Sequence, residues 1–238
     1  MKLICLQAGH ENTQNNCNPA LRGSTGAPGE IAFTVKTRNR LSEILQQKGF
    51  QVQLVDATYN CNPEAGKKDF DLFLAIHYEA DVHNMGGGLI GSGDPSVDAN
   101  YKESARIRDV MRSEYFKNVG IDEHEEWSNP NVTEYYMWSA LTAKTPCVLI
   151  ECGVGQNAHD KVILADTDRI CNAIARGICK AFNVPFDAPQ PAQPDPRDEK
   201  IKQLTAENDV LRTANQKMTS KLARLQPLIK QANDITNE

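Results

Sequence analysis

No segment of this sequence is long and apolar enough to cross a bilayer as a helix, which takes about 20 consecutive apolar residues. The amino terminus, MKLICLQAGHENTQ, also lacks the longer hydrophobic stretch and small-residue cleavage site of a secretory signal. These absences lead us to expect synthesis and initial residence in the cytoplasm, with no membrane partner. Basic clusters are missing too, and the formal net charge is −5. A chain of that balance offers little electrostatic footprint for phosphates, so nucleic acid is not an expected partner. The seven cysteines (Cys5, Cys17, Cys61, Cys147, Cys152, Cys171 and Cys179) are odd in number and show no CxxC spacing. That argues against a disulfide framework and a zinc ribbon, and most of them should be reduced, buried small hydrophobes.

What is present is enough chain, 238 residues of ordinary apolar and charged content, for one large domain and an appendage. The runs LICLQA, QVQLVDA, DLFLAIHY, GGGLIGS and CVLIECG are rich in branched residues and are followed by Gly, Asn or Asp, as strands are. Residues 31–48 carry Ile31, Val35, Leu41, Ile44 and Leu45 on a helical pattern, and Gly49 is placed to end that helix in a left-handed conformation. Similar segments lie near 101–119, 133–143 and 166–182. Alternating strands and helices predict a single α/β domain over 1–184, with a mostly parallel sheet covered by helices on both faces.

After Asn183 the sequence becomes VPFDAPQPAQPDPRD, whose prolines exclude helix and favour extended conformations, so 185–199 reads as a linker. Beyond it, over 200–238, Ile201, Leu204, Asn208, Leu211, Asn215, Met218, Leu222 and Leu225 recur by three and four residues. This is a heptad seam with apolar d positions, and its Asn at a positions favour a parallel coiled-coil homodimer in which Glu207 would face Arg212 of the second copy. Pro227 should stop the seam. A single amphipathic helix docked on the domain is the alternative.

His10 follows the first strand and His77 lies at the end of the third. In an open parallel sheet the carboxyl ends of strands line the ligand-binding edge, so the two imidazoles could converge. Glu30 opens the long helix after a GAPG turn, where a carboxylate either favours the helix dipole or reaches a metal. Glu151 ends the strand PCVLIE on the same face as Cys147 and Leu149, an apolar setting that raises a carboxyl toward useful general-base values. Two His, one Glu and a further carboxylate are the parts of metal-assisted amide hydrolysis. Cys152 as a nucleophile is disfavoured, because alternation points it away from Glu151. His83, His124 and His159 sit in polar contexts and read as surface histidines. The long loop between His10 and Glu30 should wall the cleft, and Trp127, Tyr135, Tyr136 and Trp138 offer flat surfaces for sugar rings or core packing.

Taken together, LICLQAGH, GAPGE, DLFLAIHYEAD and TPCVLIECGVGQN resemble the zinc-dependent N-acetylmuramoyl-L-alanine amidase family, in its type 3 catalytic domain, over roughly Met1 to Asn183. The resemblance implies that His10, Glu30 and His77 bind zinc, that Glu151 is catalytic, and that the substrate is peptidoglycan. The chain departs from the family at AIHYEAD and CGVGQN, where a small residue with Asn and GFLSN are usual. A cytoplasmic cell-wall hydrolase needs a release route, so a bacteriophage endolysin is the expected setting, with a mother-cell enzyme acting on a spore wall behind it. A non-catalytic wall-binding or assembly protein of the same fold and a zinc peptidase acting on stem peptides are the competing readings.

Overall fold

Along the first strand Ile4 and Leu6 point to one side of the sheet and Cys5 and Gln7 to the other, and all four are buried. A strand covered on both faces lies inside a sheet. The structure, a computed structural model, describes residues 1–11, 26–57, 66–80, 85–124, 131–132, 135, 137–138 and 140–187, with isolated positions between 207 and 227. The chain divides into two units, Met1–Pro189 and Gln190–Glu238. The first unit runs β1 (Leu3–Ala8), α1 (Glu30–Gln47), β2 (Gln51–Val55), β3 (Leu72–Glu79), β4 (Leu89–Gly91), α2 (Tyr101–Val119), β5 (Cys147–Val154), α3 (Ala158–Leu164) and α4 (Thr167–Ala181).

The five strands lie in the order β2-β1-β3-β5-β4. All neighbours are parallel except the short edge strand β4, which runs antiparallel to β5. A single α/β domain with a largely parallel sheet is thus what the alternation of strands and helices predicts, and the five strands fall on the five apolar runs. Each face of the sheet carries its own core. On one, Leu6, Leu74, Ile76, Val148 and Ile150 meet Leu41 and Leu45 of α1, Ile107 and Met111 of α2, Ile163 of α3 and Ile174 and Ile178 of α4. On the other, Cys5, Phe73, Ala75, Cys147 and Leu149 meet Phe70, Met137 and Trp138.

Helix α1 ends where its glycine is placed. Gly49 takes φ 85, and Phe50 N returns to Leu45 O at 3.1 Å, satisfying a terminal carbonyl in the manner of a left-handed cap.

The segment expected to be a helix over 133–143 is built differently at its described residues. Trp138 N bonds Tyr135 O at 3.2 Å and Ala140 N bonds Met137 O at 3.1 Å, which are successive tight turns. From those turns Met137 and Trp138 both pack into the core on this face. Helices α1 to α4 all pack on one face, and Phe70, just after helical residues 66–67, packs with Met137 and Trp138 on the other.

In the second unit the described positions between 207 and 227 are helical and exposed. Leu211, Met218 and Leu225 of the heptad pattern are 62%, 60% and 49% exposed. Pro227 is itself helical, and the residues after it, where the seam is expected to have stopped, lie outside the described residues. Ile201, Leu204 and Leu222 lie outside the described residues.

Candidate active site

Strands β1, β3 and β5 are the inner strands of the sheet, and their carboxyl ends open on one edge. His10 lies just past β1, His77 lies within the last part of β3, and Glu151 pairs with His77 across the β3–β5 ladder. Period-two alternation puts His77 and Glu151 on the face of Phe73, Ala75, Cys147 and Leu149. Glu30 is the first residue of α1, entered from Gly29 at φ 88.

Each oxygen of Glu30 has its own task. Oε2 accepts from Ala27 N at 2.8 Å, closing the turn that starts the helix. Oε1 lies 3.0 Å from His77 Nδ1 and 3.5 Å from His10 Nε2, and accepts from Tyr78 N at 3.2 Å. The Tyr78 hydroxyl donates to Pro28 O at 2.6 Å and braces the same turn. Two glycines make room for the cluster. At Gly9 a Cβ would stand 2.4 Å from Nδ1 of His77, and at Gly26, where φ is 66, one would stand 2.2 Å from Glu30 Oε2 and 2.6 Å from His10 Cδ2. The GAPG turn is therefore a steric requirement of the site.

The imidazoles of His10 and His77 meet edge to face with centroids 5.0 Å apart. One ligand atom from each of His10, Glu30 and His77 falls within 4.8 Å of the others. A carboxylate oxygen within 3.5 Å of a nitrogen of both imidazoles brings together the donor types that zinc takes in hydrolytic sites, two His and a Glu with room for a further ligand. The residues fit such an ion.

Glu151 is half-buried as a residue, yet its Oε2 is buried with no hydrogen-bond partner among the described residues. Burial, then the charges of Glu30 and Glu79, push its carboxyl well above the ordinary range. Glu79 follows His77 on the same strand face and is raised as well, first by burial. This third carboxylate was readable from alternation, two residues beyond a candidate ligand, but it carries no motif of its own. Gln7 is another such residue, 1% exposed in the middle of a strand. It donates to Asp56 O at 3.2 Å and accepts from the Tyr135 hydroxyl, and the Tyr135 ring meets His77 edge to face at 5.9 Å. A buried amide interrupting LICLQA was the signal.

Among the aromatics, Trp138 is core and Tyr135 flanks His77, while Trp127 and Tyr136 lie outside the described residues, as does most of the loop between His10 and Glu30. Cys152 points into the helix-side core, fully buried, and burial raises its thiol well above the usual value, which leaves it protonated and unsuited to nucleophilic attack. His159 is exposed beside Asp160. His124 corrects the expectation of a surface histidine, being 6% exposed. The residues after α2 pair back along the start of β4, with His124 N on Gly88 O at 2.9 Å, and side-chain-free Gly87 lets that backbone come close. His83 lies outside the described residues.

Residues 4–182 match the family model described as N-acetylmuramoyl-L-alanine amidase. Among curated proteins no sequence matches. The fold is that of the catalytic domain of CwlV, an N-acetylmuramoyl-L-alanine amidase from Bacillus (Paenibacillus) polymyxa var. colistinus, at TM-score 0.60 and 18% identity, covering 78% of this chain and 100% of that one. Ami1, the N-acetylmuramyl-L-alanine amidase of Mycobacterium smegmatis, matches at TM-score 0.62 and 20% identity over 76% of this chain and 97% of its own. The catalytic domain of the CD27L endolysin, which targets Clostridia difficile, matches at TM-score 0.53 and 16% identity over 76% and 98%. With three quarters of its length under that family model and the same fold in these enzymes, the chain belongs to the N-acetylmuramoyl-L-alanine amidase family.

Proposed function

We propose that this protein is a zinc-dependent hydrolase cutting the amide between N-acetylmuramic acid and L-alanine of peptidoglycan. His10, Glu30 and His77 hold the metal and Glu151 acts on protons. The observation that carries the reading is the convergence of three donor side chains within 4.8 Å, with Glu151 in register beside His77. Zinc, when bound there, supplies a Lewis acid that polarises the amide carbonyl and lowers the pKa of water. Glu151 takes the proton of the attacking water, and its Oε2, which has no hydrogen-bond partner among the described residues, is left for that task. The same carboxyl then delivers the proton to the departing alanine nitrogen, so one group serves as base and then acid. Tyr135, whose hydroxyl is held by Gln7, lies edge to face against the His77 ring and limits how it can turn.

The modular layout, a catalytic domain followed by a proline-rich linker and a helical tail, favours a phage endolysin held in the host cytoplasm until release. The deciding experiment is mass spectrometry of purified peptidoglycan digested by wild-type protein and by Glu151→Ala, with zinc content measured in both. Free L-alanine amino termini from the wild type alone support the amidase. New termini inside the stem peptide favour a zinc peptidase, and no termini with zinc still bound favour a non-catalytic wall protein.

A further inference from the structure

The turn that carries His10 is fixed on both sides of the histidine. Before it, Gly9 N donates to Ile76 O at 2.8 Å and Gly9 O accepts from Thr34 Oγ1 at 2.9 Å. After it, Glu11 O accepts from Ala57 N at 3.1 Å. The Glu11 carboxylate is gripped by Arg38, whose Nη1 contacts Oε2 and whose Nη2 lies 3.5 Å from Oε1. Arg38 is itself aimed by its other bonds, to Val55 O at 2.9 Å and to Asn39 Oδ1. His10 between these anchors has φ 59, a left-handed backbone that residues with a Cβ seldom adopt unless their surroundings impose it.

The anchors come from one stripe of α1. Glu30, Thr34 and Arg38 recur every four residues, which places them on one face of the helix, and they are 2%, 0% and 8% exposed. A single helix face thus contributes one donor to the metal cluster directly, holds the backbone just before a second and grips the side chain just after it. The Arg38–Glu11 pair is largely withdrawn from water, with side chains 10% and 21% exposed. Ion pairs so placed are poor sources of net stability, because desolvating both charges offsets their attraction. What a forked guanidinium does supply is direction.

We propose that Arg38 and Glu11 are positioning residues for His10, the pair holding the strained turn so that the imidazole stays beside Glu30 and His77. This rests on His10 being a zinc ligand. It makes α1 the template of the metal centre, and it assigns to Glu11 and Arg38 a part in metal affinity that neither plays by touching the ion.

The test uses the full-length protein and the variants Glu11→Gln, Arg38→Met, Arg38→Lys and His10→Ala. Zinc affinity is measured by competition with a chromophoric chelator, the ligand field by the visible absorption of cobalt-substituted protein, and folding by thermal unfolding of metal-free protein. Glu11→Gln and Arg38→Met should each weaken zinc binding about tenfold or more, as outer partners of metal ligands do, and shift the cobalt spectrum. Arg38→Lys, which keeps the charge without the fork, should recover only part. Metal-free Glu11→Gln should melt lower but still unfold in one cooperative transition, because Arg38 loses its charged partner while keeping Val55 O and Asn39 Oδ1; that retained fold separates positioning from general loss of structure, and if Arg38→Met does not fold, Glu11→Gln decides. Wild-type zinc affinity and an unchanged cobalt spectrum in Glu11→Gln, with zinc lost in His10→Ala, overturn the positioning role and leave the ligand reading standing. Zinc retained in His10→Ala overturns both.

Discussion

Glu151 of β5 stands opposite His77 of β3, the two residues paired in register near the carboxyl ends of both strands. The ladder thus delivers a carboxyl to one flank of the candidate metal cluster, and burial and the neighbouring Glu30 and Glu79 hold that carboxyl above its ordinary range. An acid whose folded pKa is raised costs nothing below the unfolded value, about pH 4. It destabilises the fold increasingly as pH climbs from there toward the folded value, because the unfolded chain ionises first. Glu151→Gln should therefore lower the hydrolysis rate by about a hundredfold or more and raise the melting temperature of metal-free protein at pH 7 but not at about pH 4. Thermal scans at both pH values with rate assays check this, and an unchanged rate would end the catalytic assignment.

Removing zinc with a chelator should abolish hydrolysis and restoring it should bring activity back. Zinc at a hundred times its dissociation constant should stabilise the fold by about 2.7 kcal/mol, measured by denaturant unfolding with and without the ion. His77→Ala should show neither effect. Full activity after exhaustive chelation would remove the metal from the reading.

Gly26→Ala places a methyl 2.2 Å from Glu30 Oε2 and 2.6 Å from His10 Cδ2 at a backbone φ of 66. Strain at the turn alone is worth about 1–3 kcal/mol, and displacement of Glu30 should reduce zinc affinity as well. Urea unfolding and zinc titration of the variant measure the two separately. A variant with wild-type zinc affinity would show that the turn can give way without moving the cluster.

The heptad seam read from the sequence, with Leu211, Met218 and Leu225 at its d positions, predicts a homodimer. Sedimentation equilibrium should find full-length dimers that dissociate in Leu211→Asp/Met218→Asp. Monomers of the wild type across the accessible concentration range would refute the seam.

The strands were legible in the sequence because parallel strands buried on both faces read as short continuous apolar runs rich in branched residues and bounded by turn residues. The end of α1 was legible for a similar reason, since Gly49 takes the left-handed φ that a helix terminus favours. The candidate cluster of His10, Glu30 and His77 was legible as residue types at strand ends and a helix start, and the resemblance to a family chose among the readings those types left open.

Tertiary structure alone decided the rest. Whether His124 was buried depended on a backbone pairing with Gly88, and Met137 and Trp138 reach the core beside Phe73 and Leu149 from turns. Gln7 met Tyr135, and Glu11 met Arg38, across separations of 128 and 27 residues. The physical reason is one of range. Alternation and φ preference act between neighbours along the chain and leave their mark in any short window of sequence. Hydrogen bonds and ion pairs between distant segments exist only once a sheet and its crossing helix have brought those segments within a few ångströms.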